Sequence, residues 1–188
     1  MKRMWLCAVG LCAMFVFGAA RAEAQSSMDS FHGYLTGQAA WASGGDVTSP
    51  VFMPGFSVAV QESNGWGAEF DFGYGADADA GGQELDVASY MFSASWIQRT
   101  GRLRPVALLG LGIMQIDGCA ACNHPSKTYD LGFNGGGGLV FLLNDMVAVR
   151  GDVRYFQSFA DHPDLQRPDG FGYFRYSVGL TFLWAIAP

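Results

Sequence analysis

Apolar and polar residues alternate with a period of two along most of this chain, and no comparable helical period appears. Successive side chains of an extended strand point to opposite faces, so such a run separates two environments. From Trp66 to Tyr74, the residues Trp66, Ala68, Phe70, Phe72 and Tyr74 share one face, and Gly67, Glu69, Asp71 and Gly73 share the other. Met146 to Gln157 sets Val147, Val149, Val153 and Tyr155 against Arg150, Asp152 and Arg154. Gly172 to Trp184 sets Phe174, Tyr176, Val178, Leu180, Phe182 and Trp184 against Tyr173, Arg175, Ser177, Gly179 and Thr181. Three distant segments thus carry their charge on one side only.

Extended along the chain, the pattern predicts eight strands, near residues 30–42, 51–62, 65–75, 84–98, 103–116, 130–143, 146–157 and 172–184. Tilted membrane strands and their extensions need about 9–15 residues, against about five or six in a globular protein, and these segments have the longer length. Short turns rich in hairpin residues fall at Ser63-Asn64-Gly65, Arg99-Thr-Gly-Arg102 and Asn144-Asp145. Longer connections alternate with them, at residues 43–50, 76–83, 117–129 and 158–171. That alternation describes an antiparallel up-and-down barrel with both termini on the short-turn side.

The polarity of the two faces decides what surrounds the barrel. A soluble carrier such as a lipocalin is apolar inside and polar outside, and a membrane barrel is the reverse. One face here is nearly continuous apolar surface, including Phe52, Phe56, Val58, Tyr90, Phe92, Leu109, Leu111, Ile113, Leu139 and Phe141. The other carries Glu69, Asp71, Arg104, Arg150, Asp152, Arg154 and Arg175, which we read as a charge network inside the lumen. Trp41, Trp66, Tyr74, Trp96, Tyr155, Tyr173 and Trp184 near strand ends suit interfacial aromatic girdles.

The N-terminus adds an address. Lys2 and Arg3 precede an apolar run from Met4 to Ala20, and small residues follow at Ala20, Ala22 and Ala24. That is the pattern of an export signal, read as residues 1–24, with a single barrel domain over residues 25–188. Without Lys2, Arg3, Arg21 and Glu23, the 11 basic and 17 acidic residues fall to 8 and 16, a net charge of −8. An acidic chain of this kind does not suit nucleic acid, whose phosphates draw on clustered Lys and Arg. Cys7 and Cys12 leave with the signal, and Cys119 and Cys122 remain. In an exported protein this spacing favours a disulfide over a metal site, for which only His124 is at hand as a further ligand. No cofactor is expected.

The chain resembles the small outer-membrane β-barrel proteins of the OmpA/OmpX and opacity-protein type, porin-like in shape. The resemblance rests on the signal, on the glycine-rich runs Pro105-Val-Ala-Leu-Leu-Gly-Leu-Gly112 and Gly132-Phe-Asn-Gly-Gly-Gly-Gly-Leu-Val140, and on the closing Ser177-Val-Gly-Leu-Thr-Phe-Leu-Trp184. It implies an eight-stranded barrel in a Gram-negative outer membrane, with periplasmic termini and extracellular long loops. It also implies that Ser177, Gly179, Phe182 and Trp184 form the signal read by the barrel-insertion machinery. Family members often end at the final aromatic, whereas Ala185-Ile-Ala-Pro188 follows here.

For function the expectation is a structural, surface-interaction or weakly porin-like barrel, not an enzyme, in contact with outer-membrane lipid. Its outer loops, which hold Asp46, Asp77, Asp79, Glu84, Asp117, Asp161, Asp164 and Asp169, would meet surface polysaccharide, divalent cations or a host ligand. A lipid A deacylase is the alternative, needing a nucleophilic Ser beside a His; Ser158 with His162 is the pair to consider. A lumenal small-molecule carrier is at odds with the charged interior. A Cys119–Cys122 disulfide would close too small a ring to constrain the unfolded chain appreciably. Reducing agent is therefore expected to leave the heat-modifiable gel migration of the folded barrel unchanged; loss of the folded band would contradict this.

Overall fold

The structure, a computed structural model, describes residues 31–80, 84–118, 126–160 and 170–186. The expected export signal, Cys119, Cys122 and His162 lie outside these residues. Nine strands are seen among them: β1 (Phe31–Gly44), β2 (Val47–Phe52), β3 (Gly55–Gln61), β4 (Trp66–Asp79), β5 (Glu84–Ile97), β6 (Leu103–Gly118), β7 (Ser126–Leu142), β8 (Val147–Ser158) and β9 (Gly172–Ile186). Consecutive strands from β3 to β9 pair antiparallel. The sheet then closes on itself through β1 and β9, in register from Phe31 opposite Ile186 to Ser43 opposite Phe174. Closure leaves no free edge across the apolar band, which hydrocarbon requires because it offers backbone groups no other partner.

The ninth strand comes from a break in an expected one. Both β2 and β3 pair with β1, β2 near its C-terminal end and β3 along its start, so together they form one stave of an eight-stave wall. Pro54 divides them, since it has no N–H to give the ladder and its fixed φ bends the chain. Met53 N still donates to Ala40 O at 2.8 Å, and Tyr74 N to Pro54 O at 3.1 Å, which ties the break into the wall. The expected long connection at residues 43–50 is instead a tight hairpin. Gly44 and Gly45, at φ 76° and 61°, reverse the chain there. Three other strands also run beyond their expected ends, β4 to Asp79, β6 to Gly118 and β7 from Ser126. The three short turns fall where the sequence places them. Asn64 and Asn144 accept from the backbone N–H two residues on, at 2.8 Å each, and Gly101 supplies the positive φ of the third.

Side-chain polarity sorts by face as the period demands. Outward residues such as Leu109 and Leu131 are 67% and 60% exposed, whereas inward Glu69 and Asp71 are 1% and 0% exposed. The interior is nevertheless not charged throughout. At the long-loop end Val47, Met53, Leu85, Val87, Met91, Met114, Ile116 and Phe156 form one apolar cluster. At the short-turn end Tyr34, Ile97, Val106, Leu108, Val140 and Leu183 form another. Six of the seven buried charged residues lie between these two apolar layers, and the seventh, Asp130, is paired with Met114 at the level of the long-loop cluster.

Two glycines of the run in β7 show how the wall bends so tightly. An inward Cβ at Gly136 would stand 2.2 Å from Val153 O, and one at Gly138 2.2 Å from Gly151 O. No side chain fits where β7 and β8 approach in this way, so glycine permits the curvature. Gly136→Val is expected to lower the stability of the folded barrel by about 1–3 kcal/mol or to prevent closure, because the obstruction is backbone. The measurement is the urea midpoint of the heat-modifiable band in detergent, and an unchanged midpoint would show that the wall relaxes freely.

Candidate functional site

The period of two brings six charged side chains to one level inside the barrel. Glu69 and Asp71 come from β4, Arg150, Asp152 and Arg154 from β8, and Arg175 from β9. Because β4 is the third stave and β8 the seventh, they face each other across the lumen of an eight-stave wall. Their ion pairs therefore cross the barrel. Glu69 accepts from Arg150 Nη1 through Oε2 at 2.7 Å, and from Arg154 Nη2 through Oε1 at 2.7 Å.

The other two acids take further partners. Asp152 accepts from Arg150 Nε at 3.0 Å, from Arg154 Nε at 2.9 Å and from Ser177 Oγ at 2.8 Å. Asp71 accepts from Arg175 Nη2 at 2.5 Å and from Gln38 Nε2 at 2.9 Å, and lies 3.3 Å from Arg154 Nη1. Arg154 and Arg175 are direct neighbours in the β8–β9 ladder, an unfavourable pairing of like charge that Asp71 offsets by lying against both. The Arg175 guanidinium also rests 4.7 Å from the centre of the Phe156 ring, which in turn stacks on Tyr173 at 5.0 Å. Three acids and three arginines leave the belt neutral.

The structure brings together six of the seven residues expected in the lumen network and leaves Arg104 apart. Arg104 lies at the short-turn end, half-buried, with Nε donating to Gly101 O at 3.3 Å. Strand parity alone grouped it with the others, but its distance along the barrel axis separates it. Gln38 and Ser177 are members that the search for charge passed over. Gln38 follows Tyr34 and Thr36 at two-residue spacing, and that run of polar groups on one face of β1 was the available signal.

Other expected residues take separate places. Of the closing segment, Ser177 points inward and Gly179 lies close against Gly37 O, whereas Phe182 and Trp184 face outward at 54% and 44% exposure. The Trp184 ring lies over Gly33, where a Cβ would stand 2.1 Å from Cε2, so the indole fills the notch that this glycine leaves in the β1–β9 seam. At the long-loop end Asp86 accepts from Tyr74 OH at 3.0 Å and from Asp77 N at 3.2 Å. No group of His, Cys, Asp and Glu among the described residues has the arrangement of a metal site. Ser158 is buried, and its Oγ accepts from Phe171 N at 2.9 Å.

Arg154 is the hub of the belt, since it touches all three acids and is itself fully buried. Removing one member of a buried ion-pair set leaves uncompensated charge and costs about 3–5 kcal/mol. Arg154→Met is expected to lose that much stability in urea unfolding, and Glu69→Gln in the same chain to recover part of it. A loss below about 1 kcal/mol would mean that the acids find other partners.

The fold is shared with other proteins. Neisserial surface protein A superposes with a TM-score of 0.61 at 15% identity, over 81% of this chain and 96% of its own. The outer membrane protein OprG from Pseudomonas aeruginosa gives a TM-score of 0.61 at 13% identity, over 85% and 98%. Ail, the attachment invasion locus protein of Yersinia pestis, gives 0.57 at 13% identity, over 84% and 100%. These identities establish a shared fold. No curated protein matches the sequence. Residues 9–182 match the family described as outer membrane protein beta-barrel domain, which is most of the chain, and the protein belongs to that family of bacterial outer-membrane barrels.

Proposed function

We propose that this protein is a structural and surface-interaction barrel whose lumen is occluded by its own side chains. The observation that carries the reading is the neutral belt of Glu69, Asp71, Arg150, Asp152, Arg154 and Arg175, whose ion pairs span the interior from β4 to β8 between two apolar layers. Eight staves enclose a space just wide enough for such filling. Opening it would break ion pairs in a medium that solvates neither partner, so a passive diffusion route for solutes is not expected.

In this reading both ends of the barrel domain are periplasmic. Phe31 and Ile186 are partners at the short-turn rim, and an exported chain begins on that side. The final strand, with Ser177, Gly179, Phe182 and Trp184, is then available to the insertion machinery, and the outward apolar belt meets outer-membrane lipid. The opposite rim, with Asp46, Asp77, Asp79, Glu84, Asp86 and Asp117, faces the medium. Ail was solved in complex with the heparin analogue sucrose octasulfate, a polyanion. The acidic rim here has the wrong sign for such a ligand, which favours a cationic or cation-bridged surface partner.

The deacylase reading has less support. Its nucleophile would be Ser158 Oγ, which is buried and takes the Phe171 N–H as donor, at the rim of the interior rather than on the lipid-facing wall.

Planar-bilayer recording of the refolded chain separates these readings from a porin. Silence, or rare small events, is the expected outcome. Steady open channels of porin size would sink the occluded-lumen reading.

A further inference from the structure

Two pairs of arginines face each other across a strand ladder on the inner side of this barrel, and only one pair has an acid between its members among the described residues. Arg154 is the Cα partner of Arg175, and Asp71 lies against both. At the turn between β5 and β6, Ile97 is the partner of Val106 and Gln98 N donates to Pro105 O at 3.0 Å, so the same register sets Arg99 opposite Arg104. Partners in an antiparallel ladder stand about 4.5–5.5 Å apart at Cα, where like charges repel.

Strand parity turns this turn's arginines toward the mouth of the barrel rather than toward lipid. Arg102 and Arg104 share the inward parity of Val106 and Leu108, and Leu142 N donates to Arg102 O at 2.9 Å beside them. Arg99 shares the inward parity of Ser95 and Ile97. Ile97, Val106, Leu108 and Leu142 belong to the apolar layer behind the three. Arg102 is exposed, and Arg99 and Arg104 are half-buried. The guanidinium groups thus stand between a low-dielectric floor and the water at the short-turn opening, an arrangement that strengthens their field there.

No carboxylate offsets these charges among the described residues. Arg99 Nη1 donates to Glu62 O at 3.2 Å and Nη2 lies 2.9 Å from His32 Nε2, so neither partner is an anion. Arg104 Nε donates to Gly101 O at 3.3 Å, and the Arg102 guanidinium has no partner among the described residues. Of the acids on the neighbouring turns, Glu62 accepts from Asn64 Nδ2 at 2.8 Å, and Asp145 is exposed. Beyond the export signal the chain has twice as many acids as bases, 16 against 8. Three uncompensated arginines between positions 99 and 104 of such a chain mark a place that draws its counter-charge from outside.

We propose that Arg99, Arg102 and Arg104 bind an acidic peptide segment in the periplasm, one of whose carboxylates takes at Arg99 and Arg104 the part that Asp71 plays at Arg154 and Arg175. The belt supplies the template for the chemistry, a single carboxylate lying against two guanidinium groups. Three cations in one short turn suit a run of carboxylates better than a lone small anion, and a turn already held by its ladder loses little entropy in presenting them. The periplasmic location rests on the orientation proposed above.

The test follows the anisotropy of fluorescein-labelled hexaglutamate added to the refolded chain in nonionic micelles at low salt. Hexaglutamate is expected to bind despite the acidic balance of the chain, and equally labelled hexaglutamine is not. Binding should vanish in about 1 M salt, where charges are screened beyond about 3 Å. Arg104→Gln should weaken it by about tenfold or more, through the loss of one charge-assisted contact. The same variant should leave the urea midpoint of the free folded band unchanged or higher, because it relieves the repulsion with Arg99, whereas a merely structural arginine would lower it. Absence of binding, an unchanged affinity in Arg104→Gln, a lowered midpoint, or displacement of the peptide by an equal concentration of inorganic phosphate each overturns the proposal. A second arm tests location alone, with Thr100→Cys in a Cys119→Ser, Cys122→Ser chain and a membrane-impermeant maleimide. Labelling only after the outer membrane is permeabilised is expected. Labelling in intact cells would overturn the periplasmic partner, whatever the titration in micelles shows.

Discussion

A peptide group facing hydrocarbon finds no water to bond, and this constraint shapes the whole molecule. It requires a sheet without edges, which β1 and β9 provide by pairing with each other. Closure at eight staves then forces every inward side chain into a narrow space. Charge placed there must find charge, and the spacing of Glu69 and Asp71 on one strand against Arg150 and Arg154 on the opposite one meets that need. The apolar layers on either side shield the belt from water and so strengthen each pair within it, while making any unpaired member costly.

Much of this is legible from alternation alone. The faces of β4, β8 and β9 follow from charge at every second residue, and the turns at Asn64 and Asn144 follow from residues that bond their own backbone. What alternation does not supply is depth. Arg104 has the same parity as the belt residues yet lies near the rim, because parity reports the face and the axial position depends on how the strands are staggered. Strand β5 hides its inner layer for a different reason. Tyr90, Phe92 and Trp96 face outward while Val87 and Met91 face inward, so both sides are apolar and the two layers merge in the sequence. Partner choice within the belt was equally out of reach, since Glu69 meets Arg154 only once the barrel has closed.

The hairpin at Gly44 and Gly45 and the break at Pro54 show local chemistry modifying a regular plan. A left-handed pair of glycines carries β1 into β2 without the expected loop, and the Asp46 carboxylate then accepts from Gly172 N at 2.7 Å. The rim of the barrel is thereby joined between its first and last staves as well as along its wall. Proline interrupts the second stave where a bend is needed, and the chain recovers its register within two residues.

The indole of Trp184 lying in the notch above Gly33 has a kinetic meaning. The seam it covers joins segments from opposite ends of the barrel domain; Thr36 and Thr181, bonded at 2.9 Å, are 145 positions apart. Contacts of such separation carry the largest loop-closure cost and tend to come late. The indole therefore changes surroundings at the moment the cylinder shuts, and its emission is a built-in clock for that event, distinct from the arrival of the chain in the membrane.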